Sequence, residues 1–128
     1  TLYGMWAPTI NKVSPTAEHF WNAYIEKYNE EPATYFAPLG YTNIYFLAEG
    51  IKAAGTLDKA ELIKALEEVE YASPIGEVLK MSPSNVIKHH VFNGQKILQW
   101  QGGEQQVIWP LNLKTAEPIY PFPSWEGR

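Results

Sequence analysis

Apolar residues recur at three- and four-residue steps in three stretches and at two-residue steps in a fourth. Tyr41, Ile44, Tyr45, Ala48, Ile51 and Ala54 fall on one stripe, which predicts a helix ending at Gly55. The stretch before it, Tyr35-Phe36-Ala37-Pro38-Leu39-Gly40, reads as an aromatic loop leading into that helix. Upstream, Ser14-Pro15 gives an N-cap with proline at the first helical position. Ala17, Phe20, Trp21, Tyr24 and Tyr28 share the apolar face of the helix that follows, which runs to about Asn29 and stops before Pro32. Asp58 and Glu61 have the spacing of a capping box, and Leu62, Ile63, Leu66 and Val69 form the stripe of a third helix.

The two-residue periodicity lies at either end of these helices. Thr1 to Ala7 starts like a strand, and Gly76 to Met81 reads as a short one. From Val86 to Trp109, Asn93-Gly94 and Gly102-Gly103 are hairpin turns joining three antiparallel strands. Counting by parity puts Ile87, His89, Val91, Leu98, Trp100, Val107 and Trp109 on one face. Lys88, His90, Gln99, Gln101, Glu104 and Gln106 take the other, with Phe92, Ile97 and Ile108 as exceptions. Pro110 to Arg128 reads as an extended tail laid over the surface by its aromatics, or as a proline motif for another domain. The fold class is therefore α/β, with three helices and a C-terminal antiparallel three-stranded meander.

Composition narrows the chemistry. The 128 residues suit one domain with a moderate core, and 45% hydrophobic with 19% charged residues is globular. Ten Lys/Arg against fourteen Asp/Glu give a net charge of −4, and no basic cluster offers a footprint for nucleic acid. Asn43 and Glu49 interrupt the longest apolar run, so it is no membrane span. The absence of cysteine excludes disulfides and thiolate catalysis. Eighteen aromatics, 14% of the chain, suggest burial against other protein or a ligand.

No enzyme motif stands out. His89 and His90 are adjacent on an expected strand, so they point to opposite faces and cannot close on one metal ion. On that reading His89 is a hydrogen-bonded residue of the apolar face and His90 a solvated one. Glu67 and Glu70 share a helical face but sit at its charged end, where a solvated role is expected. The five serines stand beside prolines or in turns. What remains is recognition: Trp6 ends the first strand, and Tyr35, Phe36 and Tyr41 surround a helix start whose dipole suits an anionic ligand. Phe36 and Tyr41 also read as core residues, and Trp6 as a core or hinge aromatic.

The order of these segments resembles the C-terminal third of periplasmic solute-binding proteins of the branched-chain amino acid uptake family. The likeness rests on the strand ending Tyr3-Gly4-Met5-Trp6 and on Phe20, Tyr24 and Tyr28, like the family's F-x3-Y-x3-Y. Tyr41 to Gly55 is similar to its Y-x-A-x-x-x-L-x-x-A-I-x-x-A-G, and Asp58 to Leu66 follows at family spacing. Gly76-Glu77-Val78 resembles its G-x-V strand, His89 to Trp109 its closing strands, and the ending from Pro123 its Pro-x-Trp-x-x-Arg.

The resemblance implies two α/β lobes closing on a ligand, with residues 1–76 in the first lobe, 77–109 crossing toward the second, and 110–128 a tail. It implies the substrate-binding component of an ABC uptake transporter, with a membrane permease as partner and no cofactor or metal. The ligand would be a branched-chain amino acid or a related, even aromatic, carboxylate. Phe36 falls where the family walls the ligand side chain; Tyr35, Tyr41 and Trp6 are weaker transfers. The location would be periplasmic or extracellular, free or anchored as a lipoprotein. A full member is about three times longer, so the expectation is a fragment whose exposed stripes favour a dimer or domain swap and whose own affinity is weak or nil. A ligand-sensing regulatory domain of a receptor on the same fold is the alternative.

Overall fold

The computed structural model describes residues 2–82, 87–91, 94–122 and 124. Strand β1 (Leu2–Gly4) enters a one-turn 3-10 helix (Pro8–Lys12), followed by helices α1 (Pro15–Tyr28), α2 (Phe36–Ala54) and α3 (Lys59–Glu68). Six short strands come next: β2 (Tyr71–Ala72), β3 (Val78–Leu79), β4 (Met81–Ser82), β5 (His90–Val91), β6 (Lys96–Gln101) and β7 (Glu104–Trp109). A second 3-10 turn (Leu111–Leu113) begins the C-terminal segment.

The expected caps form. Ser14 Oγ accepts from the Ala17 amide at 3.4 Å with Pro15 in the first turn, and Asp58 accepts from the amides of Ala60 and Glu61. Gly55 closes α2 in the left-handed conformation. The start of α2 differs from the sequence reading. The stretch from Phe36 to Gly40 is helix, not loop, because Pro38 sits in the first turn, where no intrahelical N–H is needed. Thr34 Oγ1 accepts from the Phe36 amide, so the positive helix end lies at Phe36 and Tyr41 stands inside the helix. Against α3, α2 approaches closely at Gly50: a Cβ there would collide with the side chain of Leu66.

A three-stranded antiparallel sheet is present with order β1-β6-β7. Gly102 and Gly103 make its turn with positive φ at both residues, as a tight hairpin between right-twisted strands demands. The third member is β1, paired Leu2↔Leu98 and Gly4↔Lys96, and not the segment from Val86 to Val91 expected from the sequence. Asn93 lies outside the described residues, and His90–Val91 pair instead with Met81–Ser82. Long-range pairing with the N-terminal strand has displaced the local hairpin. The parity argument holds for Leu98↔Val107 and Trp100↔Gln105, which share one face. A bulge at the Ile97/Leu98 step then sets Trp109 opposite Ile97, off that face.

The core gathers on this sheet. Trp6, Ala7, Ile10, Ala17, Ile75, Leu79, Leu98, Val107 and Leu113 form one buried cluster, with Trp21, Leu39, Phe46 and Val91 packed against it. On the other face of β6 the Gln99 side chain exchanges hydrogen bonds with both backbone groups of Ile119, and the Gln101 amide donates to the Glu117 carbonyl. Amides therefore pin the C-terminal segment, while Tyr120 and Phe122 remain exposed. Lys96 is fully buried; its Nζ meets Glu77 Oε1 at 3.0 Å and the Gly94 carbonyl at 3.3 Å, and Glu77 Oε2 accepts from the Gly94 amide. No hydrophobic pattern announces that pair, because the lysine occupies an inward strand position that reads as a surface one.

Candidate functional site

The first cavity, about 350 Å³, opens where β1 leaves the sheet and the chain turns into α2. Trp6, Tyr35, Thr34, Gln105 and Leu98 line it. Trp6 is placed by the strand that ends at Gly4, where a Cβ would stand only 2.7 Å from Leu98 Cδ1. The indole is 6% exposed and packs on Trp21 at 6.1 Å between centroids. Its Nε1–H is buried without a hydrogen-bond partner among the described residues.

A second cavity of about 420 Å³ adjoins it, sharing Pro8, Ala33 and Gln105. Its walls include Asn11, Trp21, Glu31 and Trp100, with the Lys12–Glu104 ion pair (2.9 Å) at its edge. The hydrogen bond from Lys12, and then its charge, hold the Glu104 carboxyl below the usual range. Thr9 Oγ1 donates to the Gln105 carbonyl at 2.6 Å, fixing the 3-10 turn to β7 between the two cavities.

The four residues singled out from the sequence separate into groups. Trp6 and Tyr35 line the first cavity together. Phe36 stacks on Tyr35 at 4.4 Å but is 67% exposed and lines none of these cavities. Tyr41 belongs to a groove of about 630 Å³ between α1 and α2, walled by Phe20, Tyr24, Tyr28, Ile44 and Tyr45. There it packs edge-on to Phe20 at 5.2 Å and stacks on Tyr45 at 4.2 Å. Burial, then the hydrogen bond it shares with Tyr45, push its hydroxyl up to about 12.

Asn11, Glu31 and Gln105 escaped the sequence reading. Only their nearness to the breaks at Pro8, Pro32 and Gly103 could have marked them.

The histidines do not behave as strand neighbours. His89 lies in a turn with φ 55°, half-exposed, its Nδ1 3.0 Å from Glu67 Oε1. Its expected place on an apolar face is overturned, because the segment turns before it reaches the sheet. Among the described residues no three His, Cys, Asp or Glu side chains converge on a metal position. None of the described helices is long and apolar enough to cross a membrane.

The two adjoining cavities lie at strand-to-helix junctions, a common position for small-molecule sites. A sequence model of the family described as Periplasmic binding protein matches residues 1–105, and the chain belongs to that family. Membership implies a small-molecule ligand and a periplasmic location. Comparison with curated proteins and with solved structures gave no match.

Proposed function

We propose that the chain is part of the substrate-binding component of an ABC uptake transporter and captures a branched-chain amino acid or related small carboxylate without covalent chemistry. The observation that supports the reading is the cavity where β1 meets the entry to α2, lined by Trp6, Tyr35, Thr34 and Leu98. Its mixed apolar and polar lining suits a small solute held by apolar burial and a few hydrogen bonds. Phe36, exposed beside Tyr35 at the start of α2 and outside the cavity wall, is the apolar surface a second lobe would bring against the ligand on closure, and Tyr41 supports the helix from behind. The membrane permease of the transporter is the partner, engaged when lobe closure shifts an open–closed equilibrium.

The same reading makes the chain one part of a longer two-lobed protein. Its support is α2, where Phe36, Ile44, Tyr45 and Leu47 are exposed although the helix is apolar on most sides. The test is calorimetric titration of the full-length natural protein with leucine, isoleucine, valine and phenylalanine. Trp6→Phe cuts back the indole that walls this cavity, and about tenfold weaker binding is expected. Phe36→Ala weakens binding by a similar factor through lost apolar contact. Unchanged affinity in both variants removes these residues from the site.

A further inference from the structure

We propose that the Asn93-Gly94 peptide is a deamidation site held in check by the Glu77 carboxylate, with Lys96 keeping that carboxylate in place.

The chemistry starts from the sequence. Asparagine followed by glycine is open to ring closure, because glycine sets no side chain beside its own amide nitrogen. The Gly94 nitrogen gives up its proton to solvent base and bonds to Cγ of Asn93. The bond from Cγ to the side-chain nitrogen breaks, and that nitrogen takes up a proton and leaves as ammonia. Water then opens the cyclic succinimide at either carbonyl, giving aspartate or isoaspartate. Both products carry a carboxylate where an amide stood.

Asn93 lies outside the described residues, whereas the attacking nitrogen lies within them. Gly94 N–H donates to Glu77 Oε2 at 3.2 Å, and Oε1 of the same carboxylate accepts from Lys96 Nζ at 3.0 Å. Lys96 is completely buried and also donates to the Gly94 carbonyl at 3.3 Å. One ion pair therefore holds both backbone polar groups of Gly94. The fit is close: a Cβ at position 94 would stand 3.1 Å from Glu77 Oε1. Glycine admits the carboxylate there, and the same missing side chain leaves the peptide open to ring closure.

Two effects oppose the reaction. The nitrogen must first leave its hydrogen bond, and a bond to a carboxylate is stronger than one to a neutral acceptor. Negative charge developing on that nitrogen would also face the carboxylate across 3.2 Å. Ring closure then waits for local opening of the Glu77–Gly94 contact.

The test incubates the full-length natural protein at mildly alkaline pH. Mass spectrometry follows deamidation and isoaspartate at Asn93 in the proteolytic peptide that holds it. Glu77→Ala combined with Lys96→Met removes the ion pair as a unit, and circular dichroism checks that the variant is folded. It is expected to deamidate at Asn93 about tenfold faster than the parent. Hydrogen exchange reads the same contact with no substitution: the parent's Gly94 amide should exchange at least about tenfold more slowly than in the urea-unfolded protein. Should the variant be unfolded, the exchange measurement decides alone. A folded variant that deamidates at the parent's rate overturns the proposal, as does a Gly94 amide that exchanges at the unfolded rate. A variant slower than the parent also overturns it, because Glu77 would then be the base that starts the reaction.

Discussion

Around β1 and the β6–β7 hairpin, Ile10, Ile75 and Val107 are completely buried, whereas on α2 Ile44 and Phe36 are each 67% exposed. The residue types are alike and the surroundings are not. The sheet region buries its apolar face against the 3-10 turn, α1 and Leu113, and covers the opposite face with Gln99 and the C-terminal segment. Helix α2 buries Pro38, Thr42 and Gly50 and leaves a second apolar stripe open. A helix apolar nearly all round normally lies inside a structure, and the open stripe is what supports the proposal that this chain is one part of a larger protein. The two cavities open at the junction of these regions, where β1 and the entry to α2 come together.

Four substitutions sharpen this contrast, beginning with the largest effect. Glu77→Ala strands the fully buried Lys96 charge and is expected to destabilise the chain by about 3–5 kcal/mol in denaturant unfolding. Pairing it with Lys96→Met should recover most of that loss; no recovery would show that Glu77 acts through the Gly94 amide alone. Ile10→Ala opens a cavity in the sheet core and should cost about 2–5 kcal/mol. Ile44→Ser on α2 is the counterpart. In the 128-residue chain it should change stability by less than about 0.5 kcal/mol. If the proposed longer protein covers the stripe, the same change there should cost more than about 1 kcal/mol. Equal effects in the two settings would break the comparison.

The fourth concerns pH. Tyr41 titrates near 12 in the folded chain against about 10 unfolded, raised by burial and by Tyr45. Its neutral form is the one favoured by folding, so that stabilisation is present below pH 10 and is lost as pH rises through 12. Tyr41→Phe should flatten the fall in urea midpoint between about pH 10 and 12. Tyr71 is also raised by burial and would keep a residual slope.

Much of the helical half was legible because caps act locally: Ser14-Pro15, Asp58 and Gly55 satisfy or terminate the backbone beside them. The Gly102-Gly103 turn was legible for the same reason. The errors came where distance in sequence decided the outcome. Strand β1 reaches across to β6 and displaces the neighbouring segment from the sheet, and a one-residue bulge re-aims Trp109. At the site, Trp6 and Tyr35 could be singled out as aromatics at junctions, and they do share a cavity. Asn11, Glu31 and the Lys96–Glu77 pair could not, because polar residues look alike in sequence until the fold removes water from some of them.

Trp6 lines the first cavity, and the resonance of its indole N–H in proton–nitrogen correlation spectra reports what enters there. With the full-length natural protein labelled at the tryptophan indole nitrogen, addition of the standard amino acids one at a time should move that resonance. The movement should saturate with at least one amino acid, as expected when a ligand settles beside the indole. A Trp6 indole signal that stays in place through every titration would contradict the account.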